Sequence, residues 1–353
     1  MGEKILMSGN EAIAEGALCA GCTFYAGYPI TPQNELPSYM ARHMPGIGGV
    51  FIQAESELAA VNMVFGAAAA GARAMTSSSS PGISLKQEGI SYIAGAELPA
   101  VIVNIMRGGP GLGNIAPSQS DYFQATRGGG HGDYRCIVLA PCSVQEAHNQ
   151  TILAFDLADK YRVPVIILGD GILGQMMEPL IVYRKSHIKN RNDNRKPWAL
   201  TGCEERKPNI IKSFYLEEGA LEKFNLRLQA KYRAISKEEQ RCEESFLDDA
   251  RIILVAYGTM ARIAKGLVKK LRQKGKKIGL IRPITLWPFP EKIFKQLGSS
   301  AKRPQFLVIE MSYGQMLQDV KLACAGALPV EFIGRSGGGI PSEEEIMRKI
   351  NNL

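Results

Sequence analysis

The side chains best suited to chemistry lie between residues 28 and 57: Tyr28-Pro29-Ile30-Thr31-Pro32-Gln33, and then Glu55 and Glu57 at the head of an apolar, alanine-rich segment. Two prolines fix φ on either side of Thr31, so the turn that carries its hydroxyl is rigid. A hydroxyl in a rigid turn and a carboxylate entering a buried helix can be aimed into one cleft, where the acid holds or moves a proton. A third candidate is Arg107, the only charged residue between Glu97 and Asp121, which opens a glycine-rich loop running to Gly113. A forked guanidinium beside bare backbone suits a carboxylate. The alternative is an arginine on the surface of a mobile loop.

The elements that must position these residues read as strands and helices in alternation. Helices are expected over 10–19, 37–44, 57–71, 85–96 and 143–161, and strands over 23–27, 50–53, 74–77, 100–106, 136–140 and 163–168. The segment from Glu57 to Gly71 is almost bare of charge, as a helix buried in a core or an interface is. Strand and helix repeated in this way predict an α/β fold, a parallel sheet covered on both faces. Ligands of such sheets sit at the carboxyl ends of strands, and Thr31, Glu57 and Arg107 all follow predicted strands.

The 353 residues suit two domains. Residues 1–183 read as the first α/β domain, and 184–250 as a polar connector whose Leu216 to Glu244 run predicts one long helix. Residues 251–353 read as a smaller α/β domain with strands at 251–257, 278–281, 306–309 and 330–333, and a last helix at 342–350. The three segments carry net charges of −6, +3 and +11, which together give the net +8 of the chain. The C-terminal excess gathers in Lys265, Lys269, Lys270, Arg272, Lys274, Lys276 and Lys277. A solvated helix face accounts for it, with a docking patch for an acidic partner as the alternative. Nucleic acid is not expected, because no aromatic residues interleave with these charges.

Hydrophobic residues make up 45% and charged residues 22% of the chain, as in a globular protein with a sizeable core. The longest apolar stretches, such as Leu98 to Met106, fall far short of the roughly 20 residues of a membrane span. Residues 1–20 include Glu3, Glu11 and Glu15 without a basic then apolar leader, so a cytoplasmic protein is expected. Seven scattered cysteines fit free thiols in a reducing compartment. Cys19 and Cys22 form a C-x-x-C with no second pair nearby, which reads as packing at a helix end rather than metal or disulfide chemistry. His131 and Asp133, in a glycine-rich loop, read as a loop-stabilising pair, with a ligand contact as the alternative. The Gly334 to Gly339 loop is either an anion or partner contact or a plain connection.

The segment Glu57-Leu-Ala-Ala-Val-Asn-Met-Val-Phe-Gly66 resembles the pyrimidine-binding helix of thiamine diphosphate enzymes, in which a glutamate precedes an Ala-Ala pair and a glycine. With Tyr28 to Pro32, Ser77 to Gly82 and Arg107 to Gly113, nearly the whole chain is similar to the α subunit of 2-oxoacid:ferredoxin oxidoreductases, including a C-terminal domain like that of transketolase. Within that family, Ser77 to Lys86 and Gly129 to Tyr134 look closest to the branched-chain, 2-oxoisovalerate (3-methyl-2-oxobutanoate dehydrogenase) type.

The resemblance implies roles residue by residue. Glu57 matches the glutamate that hydrogen-bonds the aminopyrimidine of thiamine diphosphate and promotes ionisation of the thiazolium carbon. Glu55 is the rival, but only Glu57 has the spacing to Ala59-Ala60 and Gly66. Thr31 matches the hydroxyl that touches the substrate, and Arg107 the arginine that binds the substrate carboxylate. Electrons then leave through [4Fe-4S] clusters to ferredoxin, and the acyl group passes to coenzyme A. Gly169-Asp170-Gly171, with Asn192 and Asn194 downstream, imitates the signature by which thiamine enzymes hold magnesium and diphosphate. The intervening Pro179 and the Lys/Arg/Asn-rich stretch argue instead for a plain strand-end turn. No metal ligand is therefore expected here. A β subunit is expected to supply Mg2+, diphosphate contacts and a cluster, and γ and ferredoxin-like δ subunits the rest. The same role with 2-oxoglutarate or pyruvate, and a non-catalytic partner-binding scaffold with a degenerate pocket, are the alternatives.

Overall fold

A computed structural model describes residues 3–182, 196–299 and 303–353. In chain order, the first part contains β1 (Glu3–Ser8), α1 (Gly9–Cys19), β2 (Phe24–Gly27), α2 (Glu35–His43), β3 (Val50–Gln53), α3 (Glu57–Ala69), β4 (Ala74–Ser78) and α4 (Ser80–Gly95). It continues through β5 (Ala100–Met106), α5 (Tyr122–Arg127), β6 (Ile137–Leu139), α6 (Val144–Tyr161), β7 (Pro164–Asp170), α7 (Gly171–Gln175) and β8 (Met177–Val182). Next come α8 (Ala220–Glu238), β9 (Cys242–Ser245), β10 (Ile252–Val255), α9 (Gly258–Gln273), β11 (Ile278–Pro283) and β12 (Thr285–Trp287). The chain closes with α10 (Glu291–Gly298), β13 (Gln305–Glu310), α11 (Gln315–Cys324), β14 (Val330–Gly334) and α12 (Glu343–Asn351).

The first sheet has the order β12-β6-β7-β5-β4-β2-β3, parallel throughout except for β12 at one edge. Its central strand shows why the sheet needs cover on both faces. All seven residues of β5 are buried. Val101, Val103 and Ile105 point into the core shared with α1, α2 and α6, while Ala100, Ile102 and Met106 point into the core shared with α3 and α4. This is the period-2 alternation of a strand buried on two sides. The second sheet has the order β14-β13-β10-β11-β9, again parallel apart from the edge strand β9.

Three features differ from the sequence expectation. The long helix stops at Glu238 rather than Glu244, and the residues after it form β9, antiparallel to β11. Helix α4 begins at Ser80, five residues earlier than expected, because Pro81 in its first turn has no N–H to leave unsatisfied. Strands β1 and β8 pair into a two-stranded antiparallel ribbon, and β12 crosses from the C-terminal segment to pair with β6. These edge strands are short and lack a sustained apolar run, so their pairing has little local signal. Asn192 and Asn194, and most of the Lys/Arg/Asn-rich stretch, lie outside the described residues.

Register brings the candidate site together. Gly27 stands beside Gln53, Ser78 beside Asn104, and Met106 beside Asp170. The turns after β2, β3, β4, β5 and β7 therefore all leave from the same edge.

Candidate active site at the carboxyl edge of the first sheet

Thr31 lies half-buried in the turn after β2, and its peptide bond to Pro32 is cis. The turn is tied down from both ends: Asn10 Nδ2 donates to the Pro32 carbonyl at 2.8 Å, and Gln33 Nε2 to the Tyr28 carbonyl at 3.4 Å. Gln33 is itself fully buried and accepts from Ser77 Oγ at 2.6 Å, while Ser77 stands 2.6 Å from the Tyr25 hydroxyl. This network joins the Thr31 turn to β4.

Arg107 follows β5 and is only 7% exposed, so it is not a side chain on a loop surface. Its guanidinium donates to the Thr31 carbonyl at 3.0 Å and the Leu112 carbonyl at 3.1 Å, and Nε is buried without a partner. Both partners are neutral carbonyls, so a desolvated cation stands beside Thr31 with no carboxylate paired to it among the described residues. Such a group retains a large appetite for an anion. The loop that it opens folds back on itself, with Gly108 N–H on the Ala116 carbonyl and Asn114 N–H on the Gly108 carbonyl. Gly113 has φ +59°, and a Cβ there would overlap the Gly108 carbonyl oxygen, so this turn requires glycine.

Glu57 opens α3, whose N-cap Ser56 accepts from the Ala59 N–H. Burial separates the two candidate acids: Glu55 is exposed and Glu57 is buried. Among the described residues, none hydrogen-bonds the Glu57 carboxylate; the bond that reaches Glu57, from Lys86 Nζ at 3.2 Å, goes to its backbone carbonyl. The carboxylate faces α4 at Gly82, where a Cβ would lie 2.5 Å from Glu57 Oε1 and overlap Ser78 Oγ. Ser78 Oγ and Ser79 Oγ are also buried without partners. One turn further along α4, Lys86 is completely buried, with Nζ 3.0 Å from Thr76 Oγ1. Burial draws its amine down to about 7, against the opposing pull of the Glu57 carboxylate.

Asp170 occupies a different environment. It ends β7, caps α7 through the Ile172 and Leu173 N–H groups at 3.0 and 3.1 Å, and accepts from Thr259 Oγ1 at 2.8 Å and Thr259 N–H at 3.3 Å. Burial raises its carboxyl group above the usual range, and these four bonds oppose that rise. Its oxygens are spent on joining the first sheet to α9. Among the described residues no group of three or more His, Cys, Asp or Glu is arranged to hold a metal ion.

His131 packs edge-on to Tyr92 with ring centroids 6.4 Å apart, and the Asp133 carbonyl accepts from Gln229 at 2.7 Å; neither adjoins the carboxyl edge pair of Thr31 and Arg107 through any hydrogen bond. The Gly334 to Gly339 loop covers the Arg107 loop, with the Gly337 carbonyl 3.0 Å from Asn114 Nδ2. A cleft of about 520 Å³ separates Ser80, Gly109 and Asp121 on one side from Tyr313, Gln315 and Ser336 on the other. Cys19 and Cys22 form no disulfide with each other: Cys19 Sγ lies 3.8 Å from Glu15 Oε1, and Cys22 donates to the Phe24 carbonyl. Sequence reasoning named the segments Tyr28 to Gln33 and Ser77 to Lys86 but gave Gln33, Ser78, Ser79 and Lys86 no individual role.

Residues 15–235 match the family model "Pyruvate flavodoxin/ferredoxin oxidoreductase, thiamine diP-bdg", and residues 250–346 match "Pyruvate:ferredoxin oxidoreductase core domain II". The chain is a subunit of the 2-oxoacid:ferredoxin oxidoreductase family. As an oxidoreductase subunit of this family it contains the thiamine diphosphate-binding domain and a second, transketolase C-terminal-like domain. It is 52% identical over 348 residues to the ketoisovalerate oxidoreductase subunit VorB of Methanothermobacter marburgensis, covering 99% of this chain and 97% of that one. It is 38% identical to the 2-oxoglutarate synthase subunit KorA of Methanocaldococcus jannaschii, covering 98% of each. Among solved structures, the 2-oxoglutarate:ferredoxin oxidoreductase of Magnetococcus marinus, with 2-oxoglutarate, coenzyme A and succinyl-CoA bound, superposes with a TM-score of 0.85 at 26% identity. That match covers 99% of this oxidoreductase subunit and 65% of the longer chain. A split-gene transketolase in an inactive β4 tetramer shares the fold, with a TM-score of 0.57 at 13% identity.

Proposed function

We propose that this chain is the α subunit of an oxidoreductase that decarboxylates 2-oxoisovalerate to its acyl-coenzyme A with reduction of ferredoxin. The observation that carries the proposal is that one sheet edge carries both a buried Glu57, whose carboxylate accepts no hydrogen bond among the described residues, and a buried Arg107 guanidinium that meets no anion among them.

The residues present fit the pyrimidine half of thiamine diphosphate: Glu57 has a free carboxylate for a ring nitrogen, and Gly82 leaves the side of that carboxylate uncrowded. When bound, thiamine diphosphate supplies the carbon nucleophile and electron sink that 2-oxoacid decarboxylation requires. Glu57 accepts and returns a proton at its carboxylate, in a site dry enough for one hydrogen bond to matter. Arg107 binds the substrate carboxylate through its fork, held in aim by the Thr31 and Leu112 carbonyls. Thr31 meets that cation through its backbone carbonyl, and its hydroxyl accepts from Asn34 Nδ2 at 3.4 Å. A β subunit carrying magnesium, the diphosphate contacts and a [4Fe-4S] cluster, with γ and ferredoxin-like δ subunits, completes the enzyme, and free thiols support a cytoplasmic setting.

The relatives named for 2-oxoglutarate favour a second reading, in which the substrate has a second carboxylate. That group would need another cation. The four bases nearest in sequence are engaged elsewhere: Arg42 with Glu11, Arg73 with Asp156 and Asp159, Arg127 with Asp319, and Lys86 beneath α3. This supports an apolar substrate side chain. The basic helix α9 gives no support to a scaffold reading, since Lys265, Lys270 and Arg272 pair with Glu243, Glu343 and Asp249.

The test is coenzyme A-dependent reduction of a low-potential dye by the chain alone and co-expressed with its partner subunits, offered 2-oxoisovalerate, pyruvate and 2-oxoglutarate. Activity confined to the complex and greatest with 2-oxoisovalerate is expected. A preference for 2-oxoglutarate would replace the substrate assignment, and silence with all three would favour the scaffold.

A further inference from the structure

Lys86 is the one lysine among the described residues that is completely buried, and the proposed chemistry leaves it unused. Its location follows from the spacing of α4. Gly82, Lys86 and Gly89 recur at intervals of four and three, so they share one face of the helix. That face lies on α3: Gly82 adjoins the Glu57 carboxylate, and a Cβ at Gly89 would strike both methyl groups of Val61. Two glycines flanking Lys86 let the helices approach closely enough to bury the amine under the first turn of α3. There Nζ donates to the Glu57 carbonyl at 3.2 Å and lies 3.0 Å from Thr76 Oγ1.

From this geometry we propose that Lys86 is a positioning residue for Glu57, fixing the first turn of α3, and so the aim of the Glu57 side chain, through the Glu57 carbonyl. The inference rests on Glu57 acting as the acid–base group of the site. The two hydrogen bonds use both N–H groups of a neutral amine and leave one N–H of the protonated form without a partner. That agrees with a lysine drawn down to about 7 by burial and held up by Glu57 alone among charged groups. Of the elements packed on α4, β4 and β5 carry no ionisable side chain, and β7 carries only Asp170, which Thr259 and the α7 N–H groups engage. On α4 itself, Glu88 is exposed and bonded to the Tyr92 hydroxyl. At the head of α4, Asp121 accepts from Ser80 Oγ at 2.6 Å and Asn104 Nδ2 at 2.9 Å, which leaves Glu57 as the charged group acting on Lys86.

The test uses the co-expressed complex with Lys86→Met or Lys86→Gln in this chain and Glu57→Gln alongside. Three quantities are read: thiamine diphosphate affinity by titration calorimetry, kcat and KM for 2-oxoisovalerate, and the pH profile of kcat. Lys86→Met is expected to weaken thiamine diphosphate binding and lower kcat, each by about tenfold, with KM changed less than twofold. Its pH profile should lose the inflection near 7 that the buried Lys86 amine gives the wild type. Lys86→Gln keeps a donor for the Glu57 carbonyl without charge, so it should recover much of the cofactor affinity but not that inflection. Variants with unaltered affinity and pH profile would overturn the inference, as would failure of both to assemble, which would make Lys86 purely structural. Full activity of Glu57→Gln would instead overturn the reading on which it rests.

Discussion

At the seam between the two sheets, Gln119 bonds the Tyr257 carbonyl and both backbone groups of Met311, each at 2.9 Å, and Glu310 accepts from Met316 and Leu317 N–H at the head of α11. Asp170 completes the pattern, with four donors on two oxygens. At the carboxyl edge of β4 and β5, burial is just as deep, yet Ser78 Oγ, Ser79 Oγ and Arg107 Nε lack partners, and nearby at the head of α3 no hydrogen bond among the described residues reaches the Glu57 carboxylate. Satisfied buried polar groups stabilise a fold, and unsatisfied ones cost it about 1–3 kcal/mol each. The difference distinguishes polar residues that join elements from polar residues kept available for a ligand. It also sets Glu57 apart from Asp170, which the sequence already reads as part of a strand-end turn.

The sharpest way to break that comparison is at Glu57. Glu57→Gln should lower turnover of the assembled complex by about a thousandfold or more, equivalent to about 4 kcal/mol, while leaving assembly intact. Steady-state kinetics on purified complex decide this, and a wild-type rate removes Glu57 from the site. Asp170→Ala should do the opposite, lowering stability by about 3 kcal/mol as the buried donors of Thr259, Ile172 and Leu173 lose their acceptor. Denaturant melts measure that loss. Weakened cofactor affinity with an unmoved melt would transfer Asp170 to the site side.

Arg107→Ala should raise KM for the 2-oxoacid about thirtyfold, or about 2 kcal/mol, and an unchanged KM would take the guanidinium out of substrate binding. The smallest expected effect concerns Lys86, whose amine is drawn to about 7 in the folded chain from an ordinary value of 10.5. Below pH 7 the folded and unfolded chains both hold the proton, and the cost of a buried cation is fully present. Between about 7 and 10.5 only the unfolded chain holds it, so this group makes stability rise with pH across that window. The stability of wild type relative to Lys86→Met should therefore increase by on the order of 1–2 kcal/mol from about pH 7 to about pH 8.5. A constant difference in melts at the two values would mean that Lys86 does not titrate there.

The sequence made the central strands of both sheets legible because runs such as Ala100 to Met106 have no other stable location than a covered sheet. It also singled out Thr31, Glu57 and Arg107 by type, and the turns that carry them do leave from one edge. What stayed hidden depends on partners distant in sequence. Whether Asp170 is free or spent is decided by Thr259, 89 positions away. The edge strand β9 is Cys-Glu-Glu-Ser, which no periodicity marks. Lys86 did leave a signal, a single lysine flanked by glycines at helical spacing. Its meaning required the register between α3 and α4.

The crossing of β12 has consequences for how the chain can be divided. Thr285 to Trp287 run from the C-terminal segment to lie against β6, and the Ala140 N–H bonds the Ile284 carbonyl at 2.9 Å. A fragment ended near residue 250 would lose this clasp and present Ile137 to Leu139 as a raw, apolar sheet edge. Such an edge recruits strands from other molecules. Cutting the chain where its sequence changes character should thus yield a self-associating half, visible by size-exclusion chromatography, and not an autonomous module.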